Sequence, residues 1–244
     1  MIVAIMQPYF FPYIGYFQLM HAVDTFVFFD DVQYIERGWV NRNRIALHGE
    51  GCWLTFPVVK ASRTFHINKR YYIENDEVIN RLERQINAAY HAFARHAAAI
   101  ANIAGLLRFD DTNVARYNAN LLMELGRQLQ TDCTFAFSSQ IAKPDGLKGE
   151  AKVIALCRAL GATQYVNPIG GHELYDPENF RKAGLKLSFL KTRVPPLSLS
   201  AGPQHLSIID SLMRHGLDHC ITQMSQYALL DQNAARAATS GATT

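Results

Sequence analysis

The chain has four cysteines, Cys52, Cys133, Cys157 and Cys220, and no C-x-x-C spacing among them. That scarcity argues against a zinc site or a redox pair and leaves reduced, mostly buried thiols. Charge of one sign is lacking too. There are 24 Lys and Arg against 21 Asp and Glu, a formal net charge of +3, and the signs are interleaved, so no nucleic-acid partner is expected. Runs of about eighteen apolar residues are missing, so no membrane span is expected. The first residues lack the basic, apolar and small-residue regions of a signal peptide, which makes the cytoplasm the expected compartment. Neither a Walker phosphate loop, nor a G-x-G-x-x-G fingerprint, nor a G-x-S-x-G elbow occurs. ATP and Mg²⁺ therefore have no standard motif behind them, and the cofactor stays open. His215 and His219 have metal-ligand spacing but no evident third ligand, and they read as surface residues.

What is present is a pattern of alternating elements. Ile2 to Met6 and Thr25 to Phe29 are short apolar runs with about two helical turns, Gly15 to Val23, between them, the makings of a βαβ unit. Trp39 to Leu47 and Cys52 to Val58 flank His48-Gly49-Glu50-Gly51, which predicts a hairpin insertion over about 39–58. Near-3.6 periodicity from Asp76 to Leu107 and from Asn113 to Leu129 predicts a helical layer over about 76–130. Strand-like and helical stretches then alternate: Cys133–Phe137, Gly149–Leu160, Gln164–Asn167, Pro177–Ala183, Leu185–Leu190 and Leu206–Arg214. The expected fold is a single α/β domain over 1–230, a mostly parallel sheet flanked by helices. Residues 231–244, rich in Ala, Thr, Ser and Gly, are expected to be a disordered tail.

Ligands of parallel sheets bind beyond the carboxyl ends of strands, and this rule singles out the candidate residues. In the first loop Gln7, Tyr9, Tyr13, Gly15 and Tyr16 are candidates for substrate binding, with Gly15 allowing close backbone approach at a helix start. Phe10 and Phe11 divide evenly between core and site. Asp30 and Asp31 close the second strand and are the first candidates for catalysis, as base or as partner of an ammonium group; a loop-capping role is the alternative. Gln33, Tyr34 and Trp39 follow. Asn41, Arg42, Asn43 and Arg44 alternate along a strand, with the arginines able to grip a carboxylate or phosphate. Lys143 and the glycine-bent loop bearing Tyr165, Asn167, Gly170, Gly171, His172, Glu173 and Tyr175 complete the set, with His172 and Glu173 as further catalytic candidates. The first loop and the 167–175 loop are expected to share one edge of the sheet and one pocket.

The strings MQPYFFPYIGYFQL, DTFVFFDDVQYIERGWVNRNRI, GCWLTFPV, GATQYVNPIGGHELYD and LSIIDSLM resemble the WbqC-like protein family over nearly the whole chain. That resemblance implies a role in surface polysaccharide (O-antigen, lipopolysaccharide) biosynthesis. The activity it implies is transfer of a small acyl or aminoacyl group, glycine being the proposed one, to a glycan precursor. The first βαβ unit is also similar to the nucleotidylyltransferase superfamily, which implies a Rossmann-like topology, although Tyr13 and Tyr16 stand where those enzymes carry histidines. Mg²⁺-dependent nucleotidyl transfer and a non-catalytic sugar- or nucleotide-binding assembly role are the competing expectations. The partner expected is a small-molecule or glycan-precursor substrate; the oligomeric state is not legible.

Overall fold

The computed structural model describes residues 1–73, 76–93 and 96–240. In chain order its elements are β1 (Ile2–Met6), α1 (Ile14–His21), β2 (Thr25–Phe28), β3 (Arg42–Leu47), β4 (Glu50–Thr55), α2 (Asp76–Tyr90), α3 (His96–Leu106) and α4 (Val114–Gln128). These are followed by β5 (Thr134–Phe137), α5 (Gly149–Ala159), β6 (Gln164–Pro168), α6 (Pro177–Lys182), β7 (Lys186–Thr192), β8 (Leu197–Leu199) and β9 (Gly202–Gln204). The chain ends with α7 (Ile208–His215), α8 (Leu217–Gln223), β10 (Tyr227–Leu230) and α9 (Gln232–Ser240).

Six strands form one sheet in the order β10-β7-β6-β1-β2-β5. All pair in parallel except β10, which runs antiparallel to β7. Numbered by their occurrence within the sheet and read from the β5 edge, the strands stand 3-2-1-4-5-6, the Rossmann order. Alternation along the strands assigns their side chains to two cores. Ala4, Phe26 and Phe28 face a large cluster built with α1, α4, α7 and the helical layer, through residues such as Phe17, Leu122 and Ile209. Val3, Ile5 and Val27 face the opposite cluster with Val153 and Leu156 of α5, Phe180 of α6, and Tyr165. Strands β1 and β2 are thus covered on both sides, as a parallel sheet requires.

The hairpin insertion is present as β3 and β4. Leu47 pairs with Glu50, and His48 and Gly49 between them have φ of 52° and 80°, the doubly left-handed turn that matches strand twist. Two expectations are corrected. The single periodic stretch 76–107 forms two helices, α2 and α3, on either side of residues 94 and 95, which lie outside the described residues. The expected tail forms α9 from Gln232 on: Ala235 is fully buried and Gln232 Nε2 donates to the His172 carbonyl at 2.7 Å. Docking of small alanines against the sheet layer orders a segment whose composition reads as fraying. Residues 241–244 lie outside the described residues.

Candidate functional site

Between β1 and β6 the order of connections reverses, and in a sheet of this topology ligands lie beyond the carboxyl ends at that point. Because β1 and β6 are parallel neighbours, the 7–16 and 167–175 loops leave from one edge, as expected. Their clefts differ, however. Tyr13 lines a cleft of about 350 Å³ with His205, His215 and His219, whereas His172 and Glu173 border an open groove beside Arg236 and Thr239.

The first loop is largely self-occupied. Tyr16 is buried and donates its hydroxyl to the Gln7 carbonyl at 2.8 Å, and the Tyr9 ring packs on it at 5.7 Å. Burial pushes the Tyr9 and Tyr13 hydroxyls up and that of Tyr16 well up, so none is a phenolate at neutral pH. Phe10 and Phe11 are fully buried, and Phe11 has φ of 41°, a left-handed conformation that bulky residues rarely adopt. Asn43 Nδ2 donates to the carbonyls of Phe10 at 3.1 Å and Phe11 at 3.0 Å, and Ser207 Oγ adds a 2.7 Å bond to the latter. Gly15 does not face open space: a Cβ there would lie 2.3 Å from Tyr13 Cε2. Its missing side chain makes room for the Tyr13 ring, not for a ligand.

The 167–175 loop also turns inward. Tyr165 donates to Asn167 Oδ1 at 3.1 Å and meets the Tyr175 hydroxyl at 3.2 Å, while its ring stacks on Phe180. Asn167 is buried, and Gly171 packs directly on its amide; Gly170 is exposed. His172 is held between the Ile169 carbonyl, 3.0 Å from Nδ1, and Thr239 Oγ1, 3.2 Å from Nε2. Glu173 points to solvent, with its side chain 87% exposed. Tyr165, Asn167, Tyr175 and His172 are therefore anchors of the loop and of α9, because strand alternation turns the functional groups of β6 into the second core.

The two aspartates divide their work. Asp30 is buried and accepts from Ser138 Oγ at 3.0 Å, Ser139 N at 2.9 Å, Ser139 Oγ at 2.6 Å and Asn68 Nδ2 at 3.2 Å. Asp31 lies between two ammonium groups, Lys143 Nζ and Lys152 Nζ, each at 2.9 Å. Burial opposes its ionisation, but hydrogen bonds from Ser138, Lys143 and Lys152 and the charge of Lys152 outweigh it and hold the carboxyl below its usual range. Lys143 spends its remaining donors on the carbonyls of Ser138 and Ile141. The Asp31 group thus clamps the β5–α5 connection to the end of β2, and Lys143 is part of that clamp. Asp30 in contrast lies in the wall of a polar cavity of about 180 Å³, with Asn68, Lys69, Asn113, Arg116, Ser139 and Gln140. The Asn68 Oδ1 beside it is buried without a hydrogen-bond partner.

Beyond β2, Tyr34, Asn41 and Arg42 line a further cleft, and Gln33 ties that region to the 59–70 segment by donating to the Arg63 carbonyl at 3.0 Å. Asn41 donates to the Phe56 carbonyl at 2.9 Å. The predicted alternation in β3 holds, with the asparagines buried and the arginines on the open face. Arg42 and Arg44 both lie over Trp53, at 3.9 and 4.7 Å from its ring centre; Trp39 packs on the same ring at 5.4 Å. Arg44 is further held by Gln204 Oε1 at 2.8 Å. Sequence reasoning missed Asn68, Lys69, Arg116, Ser138, Ser139 and Lys152. Only the serine pair carried a signal, standing directly after a strand on the ligand edge. Burial pushes Cys133 up to about 11 and Cys157 and Cys220 up to about 12, so these thiols are unreactive at neutral pH. No helix among the described residues is long and apolar enough to cross a membrane.

Comparison with known proteins follows this geometry. No solved structure matches the chain. An uncharacterized protein of Mycobacterium tuberculosis, Rv1507c, is 30% identical over 189 residues, covering 77% of this chain and 80% of the relative. The model of the WbqC-like protein family matches residues 7–221, a span that runs from the residue after β1 into α8 and contains the Asp30 cavity and both arginines of β3. The chain belongs to the WbqC-like protein family.

Proposed function

We propose that the protein is a transferase that attaches a small acyl or aminoacyl group, glycine foremost, to a glycan precursor of a surface polysaccharide such as O-antigen. One observation carries the reading: Asp30 meets Ser139, Asn68, Lys69 and Arg116 around a single polar cavity at the carboxyl edge of a Rossmann-like sheet. Asp30 takes the proton of the attacking hydroxyl or amine. The new ester or amide bond forms as the bond from the acyl carbon to the carrier of an activated donor breaks, and the carrier leaves with its electron pair. Lys69 and Arg116 of the same lining stabilise the negative charge that develops on the acyl oxygen. At about 180 Å³ the cavity is smaller than the roughly 300–1,000 Å³ of sites that engulf drug-sized ligands. It suits a glycyl or acetyl group, with the sugar lying outside.

The test is a strain lacking the gene, complemented with the parent or with Asp30→Asn, whose surface polysaccharide is analysed for glycyl and acyl substituents. Substituents lost on deletion, restored by the parent and not by a folded Asp30→Asn protein are the expected result. With purified enzyme, turnover should fall by roughly the hundred- to ten-thousand-fold usual for a lost general base. A polysaccharide unchanged by deletion would discard the transferase reading.

A further inference from the structure

On the other side of the 30–39 segment, the start of β3 and the 58–70 segment enclose a cleft of about 410 Å³. Its lining includes five cations, Arg37, Arg42, Lys60, Arg63 and Arg70, against one carboxylate, Glu36. In a chain with a net charge of +3, this gathering does not follow from composition. Glu36 pairs with Arg63 at 3.6 Å, which leaves Arg37, Arg42, Lys60 and Arg70 with no carboxylate partner among the described residues, and such a concentration of like charge favours an anion.

Arg70 gives the cleft its character. It is only 4% exposed, and its guanidinium faces the Tyr34 ring at 4.6 Å. Its Nη1 donates to the Ser62 carbonyl at 3.1 Å. Its Nε is buried and has no hydrogen-bond partner, and no carboxylate among the described residues forms an ion pair with it. Burying a guanidinium without a counter-ion, with a donor left over, is costly unless a ligand supplies the missing charge. The frame around it is fixed: Tyr34 N donates to Phe65 O at 3.0 Å and Ile67 N to Val32 O at 2.9 Å. Arg42 donates to the Gly38 carbonyl at 3.3 Å and so holds the turn that carries Arg37. Beside Arg42 lie both tryptophans of the protein, Trp39 and Trp53, with Trp39 exposed.

We propose that this cleft is a diphosphate-binding site, and that the diphosphate it takes belongs to a nucleotide-linked sugar whose base reaches the Trp39–Trp53 pair. Planar guanidinium forks match phosphate oxygens bidentately, a pair of phosphates matches the excess of cations, and an exposed indole offers a stacking face for a base. In naming the carrier of the acceptor sugar, the inference rests on the transferase reading. The site itself does not depend on it.

Intrinsic fluorescence and titration calorimetry of the full-length protein test it, because both tryptophans lie next to the cleft, Trp53 under Arg42 and Trp39 on Trp53. The probes are inorganic pyrophosphate, UDP, GDP and the corresponding sugar diphosphates. Nucleoside diphosphates are expected to bind and to change the tryptophan emission, with affinity falling as salt is raised. The exposed-residue double variant Lys60→Glu/Arg63→Glu should weaken binding at least about tenfold, since two attractions become repulsions. Arg70→Lys, which keeps the charge but loses the planar fork, should weaken it with circular dichroism unchanged. Pyrophosphate binding as tight as that of the nucleotides, without a fluorescence change, would keep the diphosphate site and overturn the nucleotide carrier. Absence of binding by every probe at low salt, or equal affinity in the charge-reversed variant, would overturn the site. Diphosphate binding without any acyl transfer would remove the transferase reading alone; transfer untouched by Lys60→Glu/Arg63→Glu would remove this inference alone.

Discussion

The ring of Tyr13 lies over Gly15 so closely that a Cβ on the glycine would sit 2.3 Å from Tyr13 Cε2 and 2.7 Å from its hydroxyl oxygen. Only the outer end of a half-buried side chain is in the way, and it can swing aside. Gly15→Ala also gains helix propensity in the first turn of α1, at most the roughly 0.8–1.0 kcal/mol of an interior position, which offsets packing lost by the ring. The expected thermal midpoint is within about 4 °C of the parent. A large fall would show that the Tyr13 ring is fixed by more than its contact with Gly15.

Gly171 presents the opposite case. A Cβ there would lie 2.1 Å from Asn167 Nδ2, and Asn167 is buried and bonded to Tyr165, with a short side chain that cannot evade the clash. Overpacking of this kind costs about 1–3 kcal/mol, so Gly171→Ala should lower the midpoint by roughly 2–12 °C. An unchanged midpoint would mean that the Tyr165–Asn167–Tyr175 network yields without loss.

Asp31 should reveal itself through pH. Its folded pKa lies below that of the unfolded chain, so its contribution is fully present above the ordinary carboxylate value of about 3.9 and is lost as pH falls through the lower folded value. Asp31→Asn removes the carboxylate from two ammonium groups whose side chains are 13% and 9% exposed, at an expected cost of about 1.5–3 kcal/mol at pH 7. Urea unfolding of parent and variant between pH 7 and pH 2.5 should give curves that are offset above about pH 4 and converge below it. A constant offset at all values would assign the effect to packing and not to charge.

Asn43 and Ser207 both donate to the carbonyl of Phe11, the residue with the left-handed backbone. Replacing either by Ala should cost about 1–3 kcal/mol. The double variant should cost more than the two single costs together, with a coupling of at least about 0.5 kcal/mol, because only then is the buried carbonyl left without a side-chain donor. Additive costs in a urea-unfolding cycle would indicate that each donor is replaced independently.

The sequence by itself determined the layered α/β architecture, the hairpin and the edge of the sheet that carries the polar loops. Those features arise from near neighbours. Alternation of Val3, Ala4 and Ile5 assigns faces, and His48-Gly49 supplies two left-handed residues for a two-residue turn. The partners of the polar residues were settled only by tertiary structure. Asp31 finds Lys152, 121 positions away, Asn43 finds Phe10, and the alanine-rich end finds a place for Ala235. Arg70, undistinguished in a polar stretch, became the buried centre of a cationic cleft once the 58–70 segment folded back on Val32 and Tyr34. Periodicity specifies which way a side chain points from its own backbone. Whether an Asp, Asn or Arg at a strand end then clamps a loop or faces a ligand depends on which distant donors and acceptors arrive opposite it, and that is fixed by the packing of elements far apart in the chain.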